Sequence, residues 1–246
     1  MRHREPAICL RATDYSETSQ VVHFLSRGQG AVRLLAKGSK RPKSKTGGAI
    51  DLLSEGELIF SGASRESLGT LIEFSQTALH AGLRKESARL SAALFMIELV
   101  GEMVAVGDPH PEVFDLLHNG LARLDQEGSP VAAVLAYFQW RLLAHAGLLG
   151  ELDHCVACGR AIAAGEEGVY FTSTQGGLLC RNCEAAVGEK YRVDAPALAG
   201  LAVLKAVTAG KKLALPEDQA KAVNRLLAYH ISHQLGKRLR MARHAI

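Results

Sequence analysis

Four cysteines in the second half of the chain constrain its fold more than any other feature. They form two pairs, Cys155-Val-Ala-Cys158 and Cys180-Arg-Asn-Cys183, and a glycine-rich stretch of twenty-one residues separates the pairs. Two residues between the cysteines of a pair let both thiolates reach one ion, and four thiolates at about 2.3 Å complete a tetrahedral zinc shell. The spacing therefore predicts a zinc-binding module that contains a short hairpin.

The predicted zinc shell is structural rather than catalytic. A catalytic zinc keeps one coordination position for water, and a shell of four thiolates has none left. We therefore expect one structural Zn²⁺, with His154 as an alternative ligand. The fifth cysteine, Cys9, has no cysteine near it in the sequence. This pattern suits a metal site in a reducing compartment better than a disulfide framework.

A strongly basic segment, residues 33–45, lies in the N-terminal region and contains no acidic residue. Weak alternation of apolar and polar residues up to Ala36 predicts the end of a strand, and Gly38, Ser39 and Pro42 then break regular structure. We expect a mobile, solvated loop whose cations release counterions from phosphate. A charged loop without any ligand is the alternative. The candidate DNA-binding residues are Arg33, Lys37, Lys40, Arg41, Lys43 and Lys45.

Charge is distributed unevenly along the chain, although the formal net charge is only +4. Residues 1–45 carry ten Lys and Arg against three acids, residues 46–150 carry six against thirteen, and residues 151–246 carry thirteen against nine. A basic N-terminal region joined to an acidic middle produces a partitioned electrostatic field. This distribution favours nucleic-acid binding over a loop that is only solvated.

Short segments of β-type sequence dominate the first eighty residues. The predicted strands cover residues 7–12, 19–26, 31–36, 56–61 and 68–74. A five-stranded oligonucleotide-binding (OB) barrel is a common solution of this size for single strands. The predicted fold class is α+β and multidomain. It has an OB-fold barrel at 1–77, a helical bundle domain at 78–150 and 190–246, and an inserted four-cysteine zinc-finger module at 151–189.

From about residue 77 the apolar residues change to helical spacing. Steps of three, four and seven residues, beginning with Leu79, predict a first helix. A second is expected near Pro111, and a third over residues 131–146 with Ser129 as its cap. Pro216 opens a long final helix, which we expect to pack on the earlier bundle.

Several motifs resemble a known family. They are Ile8-Cys-Leu, Tyr15-Ser-Glu-Thr-Ser, the segment from Gly30 to Ser44, Gly56-Glu-Leu and the segment from Phe171 to Cys180. Over nearly the whole chain the sequence is similar to the bacterial recombination mediator family RecO, and Ala36-Lys-Gly-Ser-Lys-Arg-Pro is the most specific part. The resemblance implies a barrel that binds single- and double-stranded DNA through the six cations named above.

The resemblance also implies partners. Members of this family anneal complementary strands and, with RecR, help RecA replace the single-stranded DNA-binding protein SSB. A cleft in the helical region would hold the acidic, aromatic-ended tail of SSB. The candidate residues for that cleft are Arg123, Trp140 and Arg141, with plain core packing as the alternative for Trp140. On the barrel, Tyr15, His23 and Phe24 are candidates for a base-stacking surface, although core packing is favoured for Phe24.

No enzyme motif is recognisable in the sequence. It lacks a phosphate-cradling Gly-Lys-Ser/Thr motif, a Gly-x-Ser-x-Gly elbow and a metal-binding His-Glu-x-x-His. It also lacks an apolar run of eighteen residues and a secretory signal, so we expect a cytoplasmic, nucleoid-associated protein without a membrane partner. Two other classes stay open: a zinc-ribbon RNA- or transcription-associated binding protein, and a protein-only adaptor that binds no DNA.

Overall fold

Strands from the first 78 residues pair into a five-stranded barrel in the computed structural model, which describes residues 1–78, 80–163, 165–207 and 214–246. Antiparallel pairs join β1 to β2, β2 to β3, β4 to β5 and β1 to β4, and β3 pairs with β5 in parallel. Each strand therefore has a neighbour on both sides, as the predicted OB-type barrel requires. The strands are β1 (Arg2–Asp14), β2 (Gln20–Ser26), β3 (Gly30–Ala36), β4 (Glu55–Ser61) and β5 (Gly69–Ala78).

Alternating apolar residues of these strands fill the barrel. Val32, Leu34 and Ala36 of β3 are buried in one cluster with Val22 and Phe24 of β2, while the residues between them on β3 are more exposed. This period of two is what a strand with one buried face requires. The core also contains Cys9, and burial raises the pKa of its thiol to about 12, so the lone cysteine is a neutral packing residue.

Two strands of the barrel are longer than predicted. β1 begins at Arg2 and runs through Pro6, and β5 continues to Ala78, which lies opposite Glu55 of β4. The prediction that helical structure begins at about residue 77 was therefore wrong, because pairing with β4 overrides the local apolar pattern. Leu79 lies outside the described residues. The first long helix begins only at Ser87.

The remaining part of the first unit is helical and is tied to the barrel. A short 3₁₀ helix (Ala81–Lys85) leads into α1 (Ser87–Met103), and α2 (Pro111–Asp125) follows. The carboxylate of Glu55 accepts from two imidazoles, His80 Nε2 at 3.2 Å and His118 Nδ1 at 2.6 Å. Arg27, just after β2, also donates to Asp115 of α2 at 2.9 Å. These bonds attach α2 to the barrel.

The second unit combines helices with a small sheet. Helix α3 (Val131–His145) precedes β6 (Val169–Thr172), β7 (Gly177–Leu179) and β8 (Tyr191–Val193), which pair in the order β7-β6-β8. Three further helices follow, counted over the described residues: α4 (Ala195–Ala206), α5 (Glu217–Gln234) and α6 (Ala242–Ala245). Helix α5 packs on both α3 and α4, and Gln139 donates to Asn224 at 2.8 Å between α3 and α5.

One helix start differs from the prediction. Ser129 does not cap α3, because Pro130 occupies the N-cap position and Ser129 Oγ is buried without a hydrogen-bond partner among the described residues. Contacts divide the chain into two compact units, residues 1–127 and 128–246. This division groups α1 and α2 with the barrel, whereas the predicted scheme groups them with the later helices. The three-part scheme stays a prediction.

Candidate nucleic-acid interface and metal centre

The four predicted zinc ligands lie together in the second unit. The sulfur atoms of Cys155, Cys158, Cys180 and Cys183 are all within 4.8 Å of one another, and the Sγ atoms of Cys158 and Cys180 are 3.9 Å apart. Ligands at about 2.3 Å from one tetrahedral ion would be separated by about 3.8 Å. The donor set and its spacing therefore fit one thiolate-bound metal ion.

Tight turns place these sulfurs. In the first knuckle the N–H of Gly159 donates to the carbonyl of Cys155 at 2.8 Å, and in the second the N–H of Cys183 donates to that of Cys180 at 3.0 Å. Cys180 directly follows β7, and its N–H donates to the sulfur of Cys155 at 3.4 Å. The sheet and the turns thus bring together two knuckles that are distant in the sequence.

Burial and hydrogen bonds shift the pKa values of the clustered thiols in opposite directions. Burial raises the pKa of Cys155, but the N–H groups of Cys180, Cys158 and Ala157 outweigh it and lower the pKa to about 6. Hydrogen bonds to the sulfurs of Cys180 and Cys158, together with burial, raise the pKa of Cys183 to about 12. Four negatively charged thiolates in this space would repel one another, and a bound metal ion would offset that repulsion.

Two residues next to the cluster, Arg160 and His154, each lie close to a carboxylate. Arg160 forms an ion pair with Glu166 at 2.5 Å, and its pKa is raised by hydrogen bonding first to Glu166 and then to the Cys180 sulfur. His154 lies 3.6 Å from Glu151 and is not among the clustered ligands found in the described residues. The clustered donor atoms are therefore those of the four cysteines, and the alternative histidine is not among them.

The basic segment of the barrel begins in β3 and continues as a loop. Lys37, Arg41, Lys43 and Lys45 are exposed and have no carboxylate partner in the described part of the chain. Lys40 is different, because its Nζ lies 2.5 Å from Asp14. Arg33, within β3, donates to the carbonyl of Arg65 at 2.9 Å. Four of the six candidate cations are thus open to an anion, and two already have a protein partner.

The backbone of this loop is anchored at several points, whereas the sequence predicts a mobile segment. Buried Gln20 holds it from both sides, since its Oε1 accepts from Ser39 Oγ at 3.0 Å and from the N–H of Ile50 at 2.9 Å. The N–H of Lys40 also donates to the carbonyl of Thr18 at 3.1 Å. The loop therefore presents its cations from a fixed base.

A row of basic residues crosses the outer face of the barrel and was not predicted as a unit. Arg11 of β1 lies directly opposite His23 of β2, which lies opposite Arg33 of β3. Burial, followed by the charges of Arg11 and Arg33, lowers the pKa of His23. The two guanidinium groups disfavour a positive charge on the imidazole between them. A row that keeps such charges together is suited to a polyanion.

A β-bulge explains why Arg11 belongs to this row. Cys9 pairs with Phe24 and Arg11 with His23, so Leu10 is an extra residue in β1. Strict alternation from the buried Cys9 would turn Arg11 into the barrel, and the bulge turns it outward instead. Strand alternation alone could not have identified Arg11. The bulge leaves no clear signal in the sequence.

The three candidate stacking residues have different environments. Phe24 is fully buried and packs against Phe74 with ring centroids 5.0 Å apart, so it offers no surface to a base. The core interpretation that the sequence favoured for Phe24 is confirmed. His23 is half-buried in the basic row, and Tyr15 is 67% exposed in the turn after β1.

Comparison with known proteins identifies the family. The family model described as "Recombination protein O N terminal" matches residues 1–80, and the one described as "Recombination protein O C terminal" matches residues 84–243. The chain belongs to the RecO family. This confirms the resemblance found in the motifs, and it places the chain among proteins of DNA repair and recombination.

Relatives with the name "DNA repair protein RecO" match most of the chain. One from Myxococcus xanthus (strain DK1622) is 30% identical over 97% of this chain and 95% of its own length. Another from Anaeromyxobacter sp. (strain Fw109-5) is 36% identical over 94% of this chain and 91% of its own length. A third, from Geobacter metallireducens, is 34% identical over 80% of this chain and 78% of its own length.

The candidate partner-binding residues of this RecO-family chain lie in both units. Arg123 is exposed near the end of α2 in the first unit. In the second unit, Trp140 of α3 is only 7% exposed, and Arg141 lies over the ring of Tyr137, 5.9 Å from its centroid. A role for these residues in partner binding stays a prediction.

Among the described helices, none is long and apolar enough to span a bilayer.

Proposed function

We propose that this RecO-family chain is a non-enzymatic DNA-binding recombination mediator. It binds single- and double-stranded DNA through the barrel, anneals complementary strands and, with RecR, helps load RecA onto SSB-coated single strands. The observation that carries the proposal is the set of four exposed cations without carboxylate partners, Lys37, Arg41, Lys43 and Lys45, within the described residues. A DNA role also supports the expected cytoplasmic, nucleoid-associated location.

The physical basis of annealing is neutralisation of charge. Two complementary strands are polyanions that repel each other, and cations that replace condensed counterions lower this repulsion. Exposed lysines on an anchored loop contact phosphates without reading bases. The in-register row of Arg11, His23 and Arg33 supports a second set of backbone contacts on the same barrel. Neither set requires a chemical reaction.

The metal in this proposal is one structural Zn²⁺ held by Cys155, Cys158, Cys180 and Cys183. When bound, it would cross-link the two knuckles and satisfy the competing thiolates. Arg160, whose guanidinium interacts with the Cys180 sulfur, would reduce the remaining negative charge of the cluster. The ion would therefore support the fold of the second unit and take no part in chemistry on DNA.

The proposed protein partners are RecR and the C-terminal tail of SSB. An acidic tail with an aromatic end needs a cation beside an apolar surface. Arg141 is the candidate in the second unit, and Arg123 is a separate candidate in the first. Trp140 would contribute only the small part of its ring that remains exposed. Charge reversal at Arg141 should weaken binding of an SSB-tail peptide while leaving binding of naked DNA unchanged.

Annealing of complementary oligonucleotides tests the DNA function. The rate is measured with naked and SSB-coated strands over a salt series, using the wild type and a loop variant. We expect the loop variant to anneal more slowly, with a binding slope shallower by up to about 0.7 per lost single-strand contact. The loop variant replaces by alanine the four exposed cations Lys37, Arg41, Lys43 and Lys45.

A charge-matched variant controls for net charge. It replaces four exposed cations outside the basic loop, so it lowers the net charge by the same amount. We expect it to anneal like the wild type. Equal losses in both variants would show that the loop has no special role, and a wild type that binds no DNA at low salt would refute the function. The control replaces Arg84, Lys85, Arg192 and Lys221 by alanine.

A further inference from the structure

A cleft lies beside the basic loop of the barrel, between this loop and the turn that joins β1 to β2. Its volume is about 340 Å³, and its walls include Tyr15, Ser19, Leu35, Lys37 and Arg41. A volume near the lower end of the range for small-molecule sites accommodates about one nucleotide. The walls thus combine an aromatic ring, an aliphatic side chain and two cations.

Hydrogen bonds within the protein hold the two sides of this cleft in place. The N–H of Tyr15 donates to the carbonyl of Ser19 at 2.9 Å, which closes the turn on one side. On the other side, the N–H of Gly38 donates to Ser19 Oγ at 3.1 Å. Gly38 has a φ of +68°, a conformation that favours glycine, and it turns the chain so that Lys37 and Arg41 flank the same opening.

The side chains of the cleft are exposed rather than packed. Tyr15 is 67% exposed, although a ring of this size is normally largely covered in a folded protein. Lys37 and Arg41 are exposed and have no acidic partner in the ranges that the structure describes. Of the two acids in or beside this turn, Asp14 is paired with Lys40 at 2.5 Å and so opposes an incoming anion less, while Glu17 is exposed.

The cleft continues the basic row on the outer face of the barrel. Leu35, in its wall, lies two residues beyond Arg33 on the same face of β3. Two residues of a strand span about 6.7 Å. This is about twice the 3.4 Å rise per nucleotide of a stacked strand. A stacked strand would cover this distance with two nucleotides, and an extended, unstacked strand with about one.

From this geometry we infer that the cleft is a subsite for one unstacked base of single-stranded DNA, with Tyr15 as the stacking platform and Lys37 and Arg41 on the flanking phosphates. The inference rests on the proposed DNA-binding function and adds a preference for single strands to it. Duplex bases remain stacked on each other and cannot enter. Such a site distinguishes strands that are ready to anneal from those already paired.

The test compares Tyr15→Ala and Tyr15→Phe with the wild type in the full-length protein. The probes are a fluorescein-labelled oligothymidylate, an abasic oligonucleotide of the same length and a duplex. Tyr15→Ala should raise the Kd for oligothymidylate about tenfold without changing its salt slope, because a stacking contact is lost and no phosphate contact is. Tyr15→Phe should bind within about twofold of the wild type, since it keeps the ring.

The other probes separate this inference from the function on which it rests. Tyr15→Ala should bind the abasic strand and the duplex like the wild type. If the wild type binds oligothymidylate and Tyr15→Ala binds it equally well, or loses duplex binding to the same extent, the cleft is not a base site although the DNA function stands. If the wild type binds none of the three probes, both fail.

Discussion

At the scale of single residues, His23 should make the proposed DNA binding sensitive to pH. Burial, and then Arg11 of β1 and Arg33 of β3, lower its pKa in the free protein, so it is largely neutral at pH 7. A bound phosphate would offset the repulsion and raise this pKa, which couples DNA binding to proton uptake. The affinity for single-stranded DNA should therefore rise by about three- to tenfold between pH 8 and pH 6. Titrations at constant ionic strength measure this change.

A His23→Gln variant is the control for this residue, because it keeps polar character and cannot be protonated. It should bind with an affinity that changes less than about twofold over the same pH range. An unchanged pH dependence in the variant would show that another group takes up the proton.

The sequence alone was enough to select the cations of residues 33–45 as candidate DNA contacts, since their density is a local property. The alignment of His23 with Arg11 depends on a bulge, and no spacing rule reveals it.

At the scale of elements, a carboxylate fastens α5 to the small sheet of the second unit. Glu189 accepts from Tyr229 Oη of α5, from Thr172 Oγ1 at 3.0 Å and from the N–H of Thr174 at 3.0 Å. Burial raises its pKa, but these donors outweigh that effect and lower the pKa to about 2. Tyr229→Phe removes one donor and should lower the free energy of unfolding by about 1 to 2 kcal/mol at pH 7.

The pH dependence of this effect has a definite sign. A lowered folded-state pKa means that the stabilisation is present above the unfolded value of about 4.3 and is lost as the pH falls toward 2. The effect of Tyr229→Phe, measured by urea unfolding, should thus shrink between pH 7 and pH 3. Tyr191→Phe is the control, because its ring packs 4.9 Å from that of Tyr229 and its hydroxyl has no hydrogen-bond partner among the described residues. An equal loss in both variants would contradict the assignment.

Elements were predictable where one local pattern dominates. Pro111 and Pro216 mark the starts of α2 and α5, because proline is tolerated there and breaks a helix elsewhere. The prediction was wrong near residue 77. There β5 pairs with β4, and the local apolar pattern of β5 does not reveal this pairing. It was also wrong for Ser129, since a serine before a proline is a common cap and only the backbone geometry shows that Pro130 takes that position.

At the scale of the whole molecule, the two compact units predict two separable contributions to stability. The basic loop belongs to the first unit and the cysteine cluster to the second. Spacing made the cluster predictable, because four thiols that share one ion can be arranged in few ways. The grouping of helices between the units was not predictable, because apolar faces of α1 and α2 are compatible with either neighbour.

Removal of the metal should therefore act on one unit. We expect about one zinc per chain by elemental analysis, and chelation should lower the thermal transition of the second unit by about 10 °C or more. The transition of the barrel unit and its affinity for single-stranded DNA should stay unchanged, because its core contains none of the four ligands. Cys183→Ser should reproduce the effect of chelation.

Cys9 provides the matched control for a change of cysteine. It lies in the barrel core, fully buried, and outside the metal cluster. Cys9→Ala should leave the zinc content at one per chain and lower only the barrel transition, by roughly 5 °C for a loss of about 1 kcal/mol. A single transition that moves as a whole in both variants would show that the units unfold together. Loss of DNA binding on chelation would show that the metal supports the barrel as well.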